Sequence, residues 1–352
     1  MISFYPGPSK VEEKIPQYVK QAHKEGILGM NHRSDEFVSM SSNTIELLKK
    51  KLFIPEDYTI FFVSSATECW EIIAQSLMHD TSYHFYNGAF GEKWFEYSKK
   101  IHPLSIGYKF DQEAQLKLTD IDLSSDEGII CLTQNETSNG TRISNKRIAS
   151  IRKSYPNHLI AVDATSSMAG DHLKFENADV WYASVQKCFG LPAGMALMIC
   201  SPKAIDKAMT INERTHYNSL PIMIDKMKVY QTTHTPNVLN IYLLQQVLKQ
   251  RKPIDKIHKK LKQRSNQYEK LIANIEGLEV LITNEKVKSH TVTAIKGDPK
   301  LVKQIKKDAK ASGLLLGNGY GDLADKSFRI ANFPAHKNKD IKLLTHFFES
   351  RS

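Results

Sequence analysis

Between residues 59 and 200 the chain repeats one pattern, a short apolar run followed by a segment of helical periodicity. TIFFVSSATE (59–68) reads as strand, turn and helix start, SYHFYNG (82–88) as strand and FGEKWFEYSKKI (90–101) as helix. GIICLTQNE (128–136) is strand, SNKRIASIRKSY (144–155) helix and LIAVDATSS (159–167) strand; DVWYASVQK (179–187) and GMALMICSP (194–202) add two more apolar strands. Few architectures accept this alternation. Strands apolar on both faces must be covered on both faces, so the pattern predicts an α/β fold built on a mainly parallel sheet between helices. In such sheets ligands collect outside the carboxyl ends of the strands.

Beyond residue 235 the pattern changes. Helical periodicity over 238–251 and 254–275 leads into short strands near 278–282, 290–296 and 328–333, with helices over 299–312 and 339–350. The expected organisation is a large domain over 13–245 and a smaller α+β domain over 246–352. The helical stretch 238–275 bridges them, and residues 1–12 form an arm packing on the small domain.

Composition narrows the function classes. No apolar run approaches the ~20 residues of a membrane helix, and MISFYPGPSKVEEKI lacks the basic-then-apolar signature of a signal peptide. Cys69, Cys131, Cys188 and Cys200 sit in apolar segments at irregular spacing. That spacing points to buried reduced thiols, a cytoplasmic setting and no metal site. The net charge of +10 draws on helical faces such as KQRKPIDKIHKKLKQR (249–264). Aromatics do not interleave with these cations, so the expected role is a solvated face, with no nucleic acid as partner.

The polar residues of interest follow the strands. Ser64–Glu68 opens a helix after TIFFV, with Ser65 and Glu68 spaced as a capping box. Exposed N–H groups at such a helix end suit phosphate, although a cap alone explains the spacing. Asp163 closes LIAVDA; it either meets a cation or caps the turn through Ser166 and Ser167. Lys187 heads a stretch without a charged residue from Cys188 to Pro202. A lysine in such surroundings is a surface cation at a strand end or an amine with a depressed pKa and nucleophilic character. Lysine, carboxylate and phosphate-binding helix end together are the set that pyridoxal 5'-phosphate requires.

Nine segments in order extend this reading: FYPGPSKV at the start, MNHRSDEF (30–37), SSATE, NGAFGEKW (87–94), NETSNG (135–140), VDATSS (162–167), ASVQK, HTPNVLNIYLL (234–244) and SFRIANFP (327–334). In these the chain resembles the class V, fold-type I aminotransferases, and within them the phosphoserine aminotransferase family. The resemblance implies a pyridoxal-phosphate transaminase with a seven-stranded sheet. It moves an amino group between an amino acid and a 2-oxo acid in a ping-pong cycle and works as a homodimer with shared active sites.

Position by position, the resemblance implies that Lys187 binds the cofactor aldehyde and shuttles the substrate Cα proton, while Asp163 pairs with the pyridine nitrogen. Phe90 stacks on the ring, Ser65, Ala66, Thr67 and Gln186 hold the phosphate, and Thr137 lies near the ring hydroxyl. His234 and Thr235 reach the cofactor of the neighbouring subunit. Arg329 clamps the α-carboxylate, and His32 and Arg33 recognise the side-chain anion.

The family's further basic residues for a substrate phosphate are absent. The turn reads Ser-Ser-Ala-Thr and the stretch before Arg329 reads GDLADKS, with Lys326 as a substitute. A serine–pyruvate or alanine–glyoxylate type transaminase is therefore the second reading. A cysteine desulfurase would need a cysteine after Cys200, and there is none. A basic nucleic-acid-binding module is the non-enzymatic rival. Tyr5, Trp94 and Trp181 are expected as packing, and GNGYG (317–321) as a flexible turn.

Overall fold

The computed structural model describes residues 1–79, 81–118, 123 and 127–351. Its larger sheet has seven strands in the spatial order Thr59–Val63, Ala196–Cys200, Val180–Ser184, Leu159–Asp163, Ile129–Thr133, Ser82–Tyr86 and Ser105–Lys109. Ala196–Cys200 runs antiparallel to both neighbours, and every other adjacent pair is parallel. The three central strands are buried along their whole length, as near-continuous apolar runs require. Helices Ala66–Ser76, Ala89–Ile101 and Asn145–Ser154 supply the crossovers that parallel strands need.

A second sheet has five strands in the order Ile2–Phe4, Leu314–Asn318, Ser327–Ala331, Val292–Gly297 and Leu278–Val280. It has its own apolar core, in which Phe4, Tyr268, Ile295, Phe328 and Phe348 are all but inaccessible. The first residues are therefore part of this sheet: Ile2–Phe4 pairs in parallel with Leu314–Leu316. Among the described residues, no helix is long and apolar enough to cross a membrane.

The two helical segments expected over 238–251 and 254–275 are the helices Val238–Gln250 and Ile254–Ala273, so the bridge between the domains is a helix pair and not one helix. Pro253 has no N–H to donate and pushes the residue before it toward extended backbone, which ends the first helix. The basic segment 249–264 is not wholly a solvated face, because Arg251 and Arg264 are buried. Finally, the strand Val180–Ser184 ends three residues short of Lys187, which lies in the following turn. Gly190 and Gly194, at φ of +70° and +106°, turn the chain back into Ala196–Cys200.

The edge of the sheet opposite the carboxyl ends is tied by one buried carboxylate. Asp179 accepts from the Ile160 N–H (2.8 Å) and the Ser201 hydroxyl (3.0 Å), and pairs with Arg152. Removing it strands a cation and two donors, so Asp179→Ala is expected to cost about 2–4 kcal/mol by denaturant titration. Ligand binding by the folded fraction should be unchanged; loss of binding without loss of stability would contradict a purely structural role.

Candidate active site

A cavity of about 600 Å³ opens at the carboxyl ends of the large sheet, between it and the second sheet. That volume suits a cofactor-sized ligand. Its charged lining residues are Lys93, Asp163, Lys187 and Arg329, three cations against one carboxylate.

Lys187 is 7% exposed, and its Nζ donates to Thr137 Oγ1 at 2.9 Å. The ammonium lies 5.3 Å from the centroid of the Phe90 ring. Burial pushes the amine down to about 8, against the opposing pull of Asp163 and Glu136. Near neutral pH it thus keeps a usable fraction of free base. Asp163 ends the neighbouring strand at 6% exposure, and burial raises its pKa, opposed by hydrogen bonding to Thr165 and by the charge of Lys187.

Around this pair runs a chain of buried hydrogen bonds. Thr137 Oγ1 donates to Ser166 Oγ (3.0 Å), which also accepts from Asn135 Nδ2 (2.7 Å), and Asn135 Oδ1 accepts from Ser289 Oγ (2.7 Å). Each buried polar atom in this chain is therefore partnered.

The helix Ala66–Ser76 begins at the cavity. Ser65 Oγ caps it by accepting from the Glu68 N–H at 3.0 Å, and Ala66 and Thr67 line the cavity. The Glu68 carboxylate accepts from the Ser64 N–H (2.7 Å) instead of that of Ser65, so the capping box is displaced by one residue. Gln186 lines the cavity beside Lys187.

Phe90 is set by a residue whose part the sequence did not disclose. The buried Glu136 carboxylate accepts from the N–H groups of Phe90 and Gly91, both at 3.1 Å, and from Ser138, fixing the start of helix Ala89–Ile101. An acidic group at a helix N-terminus suits the dipole there. Gly88 permits the approach, since a Cβ there would lie 2.4 Å from Glu136 Cγ.

Arg329 is 5% exposed. Its Nε donates to the Asn318 carbonyl and its Nη1 to the Thr137 carbonyl, both at 2.7 Å. Nη2 has no protein acceptor among the described residues and remains for a ligand carboxylate. GNGYG is thereby corrected. Gly317 and Asn318 end a strand, and Asn318, Gly319 and Tyr320 line the cavity. Tyr5, expected as packing, lines it as well, whereas Trp94 and Trp181 are core at 1% and 0% exposure.

Five predicted residues do not line the cavity. Ser65 only caps the helix that begins there, and His32, Arg33, His234 and Thr235 lie elsewhere, with Thr235 and Arg33 exposed. Arg33 Nη1 donates to Gln231 Oε1 at 2.7 Å. Partial burial and the charges of Arg33 and His234 push the His32 imidazole down, so His32, Arg33 and His234 form one cluster. Tyr217 meets the His234 ring edge-on and donates to Glu68 Oε1 (2.7 Å). Lys326 is exposed and outside the cavity.

These features fit pyridoxal phosphate: a buried amine for the aldehyde, a buried carboxylate for the ring nitrogen, an aromatic ring and a free helix start. Thr133 Oγ1 lines the same cavity, buried and without a partner among the described residues, an atom that awaits a ligand. Gly7 makes room for the amine. Its φ is +148°, and a Cβ there would lie 2.6 Å from Lys187 Cε. Gly7→Ala is therefore expected to slow reaction of the Lys187 amine with an aldehyde probe by about tenfold or more, since a misplaced group loses its oriented approach. In the unsubstituted apoprotein that rate should rise with pH to a midpoint near 8, because only the free base attacks. A midpoint in the ordinary lysine range would contradict the burial argument.

The chain is similar to known proteins over nearly its whole length. Residues 6–312 match the family aminotransferase class-V. A phosphoserine aminotransferase of Rhodococcus opacus is 28% identical over 349 residues, 96% of this chain and 92% of that one. The crystal structure of a phosphoserine aminotransferase from Cytophaga hutchinsonii superposes with a TM-score of 0.93 at 30% identity, covering 99% of this chain and 98% of that chain. An alanine–glyoxylate aminotransferase from Nostoc shares the fold at a TM-score of 0.83 and 17% identity, covering 99% and 94%. With the matched family spanning most of the sequence and a buried lysine–carboxylate pair at its centre, this chain belongs to the class V aminotransferases and is a pyridoxal-phosphate-dependent transaminase.

Proposed function

We propose that the amino donor is phosphoserine and the acceptor 2-oxoglutarate, as in serine biosynthesis. The observation that carries this reading is the charge of the cavity. Beyond the cations facing Asp163 and a carboxylate, it holds one more, which suits a substrate with a second anion. The names of the relatives point the same way.

When bound, pyridoxal phosphate supplies an electrophilic aldehyde and a ring that accepts the electron pair released at the substrate Cα. The protein's own groups do the rest. Lys187 Nζ would hold the cofactor at its aldehyde and, as a free amine, would take the proton from the substrate Cα and hold it for return. Asp163 stays anionic against the pyridine N–H, which a raised pKa alone would not favour but a cationic partner restores. Phe90 would lie against the ring, and Ala66, Thr67 and Gln186, with Ser65 at the cap, would hold the phosphate at the positive start of helix Ala66–Ser76. Thr137 orients the ring hydroxyl, and Arg329, steered by two carbonyls, binds the α-carboxylate in a forked contact.

The proposal includes a homodimer. His234 and Thr235 would reach the phosphate in the second copy's site, and His32 and Arg33 its substrate anion. Their grouping outside the chain's own cavity supports that reading. Within each copy, residues 13–245 act as the cofactor-binding unit and 246–352 as the smaller one, with 1–12 as an arm packing on the smaller one. The four buried, unpaired cysteines support a reducing, cytoplasmic setting.

A donor screen of the reconstituted enzyme tests the substrate. Phosphoserine should exceed serine and alanine by at least roughly tenfold in kcat/KM, a difference that one charge-assisted hydrogen bond supplies. Equal values would favour the serine–pyruvate or alanine–glyoxylate reading. Arg329→Gln should raise KM about ten- to hundredfold for every donor, since all share the α-carboxylate. Sedimentation should give twice the 40.0 kDa chain mass.

A further inference from the structure

Of the three cations lining the cavity, two have work there already: Lys187 faces Asp163, and Arg329 is aimed by the Asn318 and Thr137 carbonyls. Lys93 does not. It lies one turn along helix Ala89–Ile101 from Phe90, so both residues face the same side of that helix. Its Nζ donates to the Tyr320 hydroxyl at 2.7 Å and sits 5.3 Å from the centroid of that ring. Tyr320 is in turn packed on Phe90 (centroids 5.4 Å apart) and under the Arg329 guanidinium, 5.6 Å away. One tyrosine thus touches the ring-covering aromatic, the carboxylate-binding arginine and the remaining lysine.

We propose that Lys93 and Tyr320 form the part of the distal-anion subsite, for a phosphate monoester or a side-chain carboxylate, that comes from the same chain as Lys187. This deepens the transaminase reading above and rests on it. The hydrogen-bond inventory suits an anion. Lys93 spends one of its three protons on the tyrosine oxygen, and the tyrosine O–H, having accepted there, is directed outward to donate. An oxyanion at that point receives two ammonium protons and one phenol proton, each charge-assisted. The tyrosine also favours the protonated lysine, since its hydrogen bond raises the Lys93 pKa against the opposing effect of burial. Lys93 is exposed, as a group at the cavity mouth must be to meet an incoming ligand. The chain thereby has a cation where neither the Ser64–Thr67 turn nor the GDLADKS stretch supplies one in the cavity.

The test compares donors in Lys93→Met, Lys93→Arg and Tyr320→Phe holoenzymes. With phosphoserine, Lys93→Met should lose roughly ten- to hundredfold in kcat/KM, mainly through KM, while alanine changes less than about twofold. Lys93→Arg should restore most of the phosphoserine activity, and Tyr320→Phe should fall between. Calorimetric binding of phosphoserine to the holoenzymes should weaken in the same order. If phosphoserine remains preferred and Lys93→Met leaves its KM and affinity unchanged, the subsite is overturned while the phosphoserine reading stands. If the unsubstituted enzyme binds phosphoserine no better than serine, both fall. Parallel losses for phosphoserine and alanine would reduce Lys93 to a support for the fold and also overturn the subsite.

Discussion

The site depends on keeping a lysine amine out of water. An ammonium resists burial unless a partner repays its lost hydration, and here Asp163 and the Thr137 hydroxyl do so only in part. The rest comes from a backbone that gives Lys187 no alternative. The turn 185–190 is clamped from two sides. Arg251 donates to the Cys188 and Phe189 carbonyls at 2.9 and 2.8 Å and pairs with Glu12 at 3.0 Å. The N-terminal segment donates Ser9 N–H to the Gln186 carbonyl (3.1 Å) and Glu12 N–H to the Gly190 carbonyl (2.8 Å). Residues far apart in sequence thus hold six positions of chain in one shape.

The two sheets divide the labour. The larger one brings Asp163, Thr137 and the turn of Lys187 to a common edge, because parallel strands all end on the same side. Its one antiparallel strand lets the chain reverse immediately after the turn, so the residues behind the amine are core and the amine faces the cavity. The smaller sheet and the segment after its Leu314–Asn318 strand contribute Asn318, Tyr320 and Arg329 to the cavity, beside residues 5–7. The Ser289–Asn135–Ser166–Thr137 chain of hydrogen bonds ends on the Lys187 amine, which donates to Thr137.

Much of this was legible in the sequence because it follows from local chemistry. Continuous apolar runs gave the large sheet, and the polar residues closing them gave Asp163 and the Lys187 neighbourhood. Ser65 as a cap followed from spacing alone. What was not legible depends on distant partners. Glu136 reads as one acid in a polar run, and only its approach to the amides of Phe90 and Gly91 makes it the group that sets the aromatic ring. Arg251 reads as one more cation in a basic stretch until the turn behind Lys187 accepts its protons. The GNGYG segment carries too few apolar positions to signal a strand, and its neighbour Ile2–Phe4 is too short to show alternation. The positions of His32, Arg33 and His234 depend on no feature of a single strand or helix, and their cluster became visible only in three dimensions.

The central claim is that one buried amine, Lys187, carries the chemistry. Borohydride reduction of the pyridoxal-phosphate-loaded protein, followed by peptide mapping, tests it most directly. The account predicts a visible absorbance band that reduction fixes on the peptide containing Lys187, with no band and no label in Lys187→Ala. Label on any other lysine, or an unchanged band in Lys187→Ala, would contradict it.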